Sequence, residues 1–158
     1  MSVDLNSLAK FLWFEADLLD QKDYAAWLDL WDPAGFYVVP IDRQANDYAN
    51  HLNYAYDDAA MRRMRVARLT SGESISANAA AVTVRTVSRF RRLEDGDDGA
   101  IRVRCAQHLG EYRNGRSRTH LADVTYTLRE DAGSFRILEK VVLLAHSADT
   151  LTGITFLP

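Results

Sequence analysis

"EYRNGRSRTH", Glu111 to His120, holds the dipeptide on which the reading of the fold turns. Asn114-Gly115 lies between two strand-like runs, "AIRVRCAQHLGEYR" and "SRTHLADVTYTLRE". Asn and Gly tolerate the positive φ angles of a two-residue hairpin turn, so this junction reads as antiparallel. Working outward, "EDGDDG" precedes the first run and "EDAG" follows the second. Beyond those turns stand "ISANAAAVTVRTVSRFRRL", which ends in a β-rich run, and "SFRILEKVVLLAH". The second half of the chain is therefore a long antiparallel meander of about four strands.

The first half keeps a different period. Leu5, Leu8, Ala9, Leu12, Ala16 and Leu19 follow helical spacing, and Phe11 and Leu18 widen the stripe. Asp23 is a candidate N-cap for a short second helix, Tyr24 to Leu30. "DPAG" stops it, because Pro33 disfavours helix at the residue before it. "FYVVPI" reads as a strand and "DRQANDYANHLNY" as a loop. Asp57 and Asp58 then favour the start of a third helix, "AAMRRMRVARL". Helices followed by a meander give an α+β architecture, with N-terminal helices packed on a curved, mainly antiparallel sheet. That order suggests the cone-shaped fold of nuclear-transport-factor-2-like (NTF2-like, cystatin-like) proteins.

The chain has 158 residues, enough for a real core and read here as a single domain, 1–158. A net charge of −3 gives no electrostatic footprint for nucleic acid or anionic lipid. No apolar run approaches the roughly 20 residues of a membrane helix, and "MSVDLNSLAK" lacks the order of a secretory signal. With one cysteine, Cys105, no intrachain disulfide is possible. The expected location is the cytoplasm.

Several motifs fail on their own chemistry. Cys105-Ala106-Gln107-His108 is half of a Rieske motif, but a Rieske cluster needs two cysteines. "DGDDG" lacks the glycine and glutamate that a calcium loop places at its sixth and twelfth positions. His146, Ser147 and Asp149 are too close along the chain to converge as a triad. The arginines Arg62, Arg63, Arg65, Arg68, Arg85, Arg89, Arg91 and Arg92 are balanced by carboxylates and read as ion pairs and solvated faces. His120 shares the apolar phase of Ala122, Val124, Tyr126 and Leu128, and Glu139 that of Phe135, Ile137, Val141 and Leu143. Together they are a candidate acid–base pair inside the cone; the preferred reading is structural.

"FEADLLDQKDYAAWLDLW", Phe14 to Trp31, is rich in carboxylates. On a helical wheel Asp17 and Asp20 fall on the solvent side, and Asp23 is a cap. Glu15 alone falls inside the apolar arc, between Phe11 and Leu8. A charge there needs a partner. Arg65 or Arg68 of the third helix is the expected one, in an architectural ion pair.

Taken together, "FEADLLDQKDYAAWLDLW", "FYVVP", "YDDAAMRRMRVARL" and "EKVVLLAHSADTLTGITFL" resemble the small (beta) subunit of aromatic-ring-hydroxylating dioxygenases, the Rieske non-haem iron oxygenases. The resemblance covers nearly all of the chain. It departs at "ISANAAAVTV", where the family places a proline-containing segment. It implies a non-catalytic assembly subunit with no metal or cofactor of its own. The Rieske cluster and mononuclear iron would lie in a partner alpha subunit. The assembly would be an alpha3beta3 hexamer with beta–beta contacts, converting an aromatic compound to a cis-dihydrodiol. The other reading is a stand-alone isomerase or dehydratase of the same fold, using His120 and Glu139.

Overall fold

A computed structural model describes residues 3–71, 81–96, 98–146 and 156–158. Three helices lead, α1 (Leu5–Asp20), α2 (Tyr24–Leu28) and α3 (Ala59–Thr70), with strands β1 (Trp31–Pro40) and β2 (Asn53–Asp57) between the last two. β3 (Val82–Arg92), β4 (Ile101–Arg113), β5 (Arg116–Asp131) and β6 (Ser134–Leu144) follow. They form one curved sheet of order β2-β1-β6-β5-β4-β3. Every pairing is antiparallel except β1 with β6. The expected α+β architecture is present.

Local chemistry sets the elements. Aspartates cap all three helices: Asp4 accepts from the Ser7 N–H, Asp23 from that of Ala26 and Asp58 from that of Met61. Asn114 and Gly115 take φ of 52° and 75°, so β4 returns as β5 through the expected two-residue turn. Ala132 and Gly133 do the same between β5 and β6, with φ of 48° and 82°. At Gly35 β1 passes close to β6; a Cβ there would lie 2.7 Å from the Ile137 carbonyl oxygen.

α2 ends at Leu28, two residues short of expectation, and "DPAG" lies inside β1, which begins at Trp31 and not at Phe36; two further differences bear on the site. β2 lies partly within the stretch read as a loop, because its inward residues, Ala55 and Asp57, give no apolar alternation. β6 carries a bulge: Leu128 faces Ile137 but Thr127 faces Glu139, leaving Leu138 as the extra residue. The bulge reverses the phase. Phe135 and Ile137 face the core before it, and Lys140, Val142 and Leu144 after it.

The core lies between the helices and the inner sheet face. Leu8, Leu12 and Leu19 of α1 and Trp27 of α2 pack there with Tyr37, Val103, Val124, Tyr126 and Ile137. α1 also seals an edge. The Arg85 N–H on β3 donates to Asp20 Oδ2 at 2.8 Å. The Val87 carbonyl accepts from Trp13 Nε1 at 2.7 Å. Groups that an edge strand leaves open to another strand are thus occupied.

Candidate functional site

Glu15 is fully buried at the centre of the cone, and its partner is Lys140, with Nζ 2.6 Å from Glu15 Oε1. This corrects the expected pairing with Arg65 or Arg68. The bulge at Leu138 turns Lys140 inward, and Arg65 instead makes a two-point contact with buried Asp57, at 2.5 and 3.0 Å. Trp27 Nε1 donates to Glu15 Oε1 and the Tyr126 hydroxyl to Oε2, both at 3.0 Å. Burial alone would raise the Glu15 carboxyl. The Lys140 charge and the hydrogen bonds from Lys140 and Trp27 outweigh it and hold Glu15 below the usual carboxylate value. Burial pushes the Lys140 ammonium down, and the carboxylate beside it opposes that push. The contact is an ion pair with donors on both carboxylate oxygens, which has no spare group for chemistry.

Asp20 is also not the solvated carboxylate expected. It holds Thr83 Oγ1 and the Arg85 guanidinium, at 3.0 and 2.5 Å, besides the strand N–H. Arg85 reaches on to the Leu157 carbonyl, and the Tyr37 hydroxyl donates to that of Pro158 at 2.8 Å. Phe156 and Leu157 are buried, so the C-terminal residues close one end of the cone. Beneath them is a cavity of about 180 Å³ between Tyr37, Val39, Tyr54, Arg65, Leu69 and Phe156. None of the described residues lining it is a carboxylate, histidine, lysine or cysteine.

His120 does face inward and is buried, but Glu139 is not with it. Glu139 pairs across the sheet with Thr127, whose phase is opposite to that of His120, Ala122, Val124 and Tyr126. The bulge thus puts the two candidates on opposite faces. Burial raises the Glu139 carboxyl, with Arg102 opposing. His120 instead contacts Glu111, with Nε2 3.0 Å from Oε1, and His146, with Nδ1 3.4 Å from Nε2. Arg118 donates to the same Glu111 oxygen at 2.9 Å. Burial would raise the Glu111 carboxyl, but the His120 and Arg118 bonds hold it below its ordinary value. Glu111 was legible in principle: a two-residue turn at Asn114-Gly115 sets Glu111 opposite Arg118 and Leu109 opposite His120.

The remaining motifs resolve simply. Cys105 is buried, its thiol pushed up to about 12 by burial, while His108 is exposed on the other sheet face. Ser147 and Asp149 lie outside the described residues. Four of the eight singled-out arginines are in ion pairs: Arg65 with Asp57, Arg85 with Asp20, Arg89 with Asp123 and Arg92 with Asp95. Arg62 donates to the carbonyls of Gly35, Asp57 and Asp32. Among the described residues no group of three or more His, Cys, Asp or Glu is placed to hold a metal. No helix among them is long and apolar enough to cross a membrane.

Comparison with known proteins agrees with this geometry. The chain is 27% identical to the small subunit of anthranilate 1,2-dioxygenase of Acinetobacter baylyi over 158 residues, 96% of each chain. Its fold is similar to that of the beta subunit of benzoate 1,2-dioxygenase of Burkholderia mallei, with TM-score 0.81, 22% identity and 99% of each chain covered. An NTF2-like protein with a cystatin-like fold from Novosphingobium aromaticivorans superposes with TM-score 0.58 at 16% identity, covering 96% of this chain and 84% of that one. The family described as "Ring hydroxylating beta subunit" matches residues 14–149. Over most of its length, then, this chain belongs to the ring-hydroxylating beta subunits.

Proposed function

We propose that this chain is the assembly subunit of an aromatic-ring-hydroxylating dioxygenase and contributes no catalytic side chain. One observation carries the reading: at the centre of the cone the buried carboxylate and ammonium are bound to each other in the Glu15–Lys140–Trp27–Tyr126 network. Its acid and base are spent on each other. The chain acts as one domain over 1–158, in the cytoplasm, beside a large alpha subunit. That partner carries the Rieske cluster and the mononuclear iron and converts an aromatic compound to a cis-dihydrodiol. The complex is an alpha3beta3 hexamer with beta–beta contacts.

Co-expression with a candidate large (alpha) subunit tests the reading. The expected result is a stoichiometric complex of hexamer mass whose iron–sulfur absorbance follows the large chain alone. Iron in the isolated small chain, or dihydroxylation by the large chain at full rate without it, would defeat the proposal. The isomerase or dehydratase reading loses its pair, since His120 and Glu139 face opposite sides of the sheet.

A further inference from the structure

The walls of the cavity of about 180 Å³ beneath the C-terminal residues are braced from behind. Tyr37 is fully buried, and its ring packs edge-on against Trp27 and Trp31, with centroids 5.9 and 6.1 Å away. Its hydroxyl is tied to the Pro158 carbonyl at 2.8 Å. Phe156 is buried, with its ring 5.3 Å from that of His120. Arg65 is fixed by its two-point contact with Asp57, whose carboxylate is itself buried. A chamber with walls held in this way exists before any ligand arrives.

Size and lining select the guest. A dry apolar cavity of roughly 150 Å³ holds one benzene molecule, so this one has room for a single ring and a small substituent. Val39, Ala55 and Leu69 give it an aliphatic side, and Tyr37 and Phe156 an aromatic one. Edge-to-face contact with such rings favours a flat aromatic guest over a flexible chain. Arg65 is the one charged side chain among the described residues of the wall. Asp57 takes its Nε and Nη2, while Nη1 makes no hydrogen bond among the described residues. A guanidinium in that state offers a charge-assisted bond to a carboxylate. The described wall has no carboxylate, histidine, lysine or cysteine side chain, so the guest is held and not transformed.

Solvent reaches the cavity between β2 and α3, where Tyr54 is 37% exposed and the Arg65 side chain 31%. The charged end of a guest therefore lies toward the opening, and its ring toward Tyr37. We propose that this cavity binds a single-ring aromatic carboxylate, with the ring among Tyr37, Leu69 and Phe156 and the carboxylate on Arg65. Phe156, Leu157 and Pro158 form part of the wall, so the bound guest also holds the C-terminal residues against the cone. This binding is a property of the chain alone and does not depend on its assembly.

The test titrates the full-length chain, free of any large subunit, with benzoate, benzene and acetate. Calorimetry reads affinity, thermal melts read folding, and nuclear Overhauser contacts from the ring protons read location. Benzoate is expected to saturate one site and to raise the melting temperature, with benzene and acetate each at least about tenfold weaker. Its ring protons should contact the methyl groups of Val39 and Leu69. Leu69→Trp, which fills the space for the ring, should melt near the parent temperature without ligand and lose benzoate binding. Arg65→Gln combined with Asp57→Asn strands no charge and should bind benzoate no better than benzene. Met64→Ala, at an exposed position of α3, should bind like the parent. If a variant fails to fold, the contacts decide the site. A parent chain that takes up no benzoate, or contacts that map to another part of the chain, would overturn the proposal. So would either folded cavity variant binding benzoate like the parent, or benzene or acetate binding as tightly as benzoate.

Discussion

Lys140 Nζ lies 2.6 Å from Glu15 Oε1, joining β6 to α1 across 125 residues of sequence with both side chains fully buried. Removing one partner strands a charge in the core. Glu15→Ala or Lys140→Met should each lose on the order of 3–5 kcal/mol in urea unfolding. The double variant Glu15→Leu/Lys140→Met should be less destabilised than the sum of the two single losses, because no charge is left unpaired. It does not regain parent stability, since Trp27 Nε1 and the Tyr126 hydroxyl lose their acceptor. Additive losses in the double variant would mean that the pair is not coupled.

Glu139 gives a pH-dependent prediction. Its carboxyl is raised by burial, so ionising it costs stability. Below the ordinary glutamate value of about 4.3 both folded and unfolded chains are protonated there, and the cost is absent. It grows as pH rises toward the folded value and is complete above it. Glu139→Gln should therefore stabilise at pH 7 and do nothing at pH 3. Glu15 has the opposite sign, since its lowered value adds stability above the ordinary value that is lost as pH falls through the folded one. Equal effects of Glu139→Gln at the two pH values would refute the assignment.

Ala132 takes φ of 48°, a left-handed conformation that is costly for a residue with a Cβ, roughly 1–2 kcal/mol. Asn is favoured at that turn position. Ala132→Asn should raise the melting temperature, by about 0.5–1 kcal/mol in stability, without altering assembly. A lower melting temperature would show that the turn has another constraint.

His120→Ala removes a buried contact to Glu111 but leaves Arg118 in place. The expected loss is about 1–3 kcal/mol of stability, with turnover of the assembled oxygenase changed far less than the roughly hundredfold expected for an acid–base group. A larger drop in rate with folding and assembly intact would make His120 catalytic.

Asp20→Ala frees the Arg85 N–H at the edge of β3 and leaves the Arg85 guanidinium without its carboxylate. The variant should be less stable by a few kcal/mol and aggregate faster on heating. Light scattering during a thermal ramp reads the second effect; unchanged aggregation would mean Trp13 alone guards the edge.

The sequence by itself determined what local rules control. Asn114-Gly115 placed the hairpin, because so few residue pairs accept two positive φ angles. The 3.6-residue stripe placed α1 and buried Glu15 within it. Asp23 and Asp58 marked two helix starts through their caps. What only the tertiary structure decided was partnership at long range. One extra residue at Leu138 turned Glu139 away from His120 and brought Lys140 to Glu15. A strand has period two, so a single-residue slip exchanges its faces. Nothing in "SFRILEKVVLLAH" announces where that slip falls. Asp20, on the polar side of its own helix, met β3 for the same reason: a wheel shows which side of a helix is polar, not what the fold lays against it.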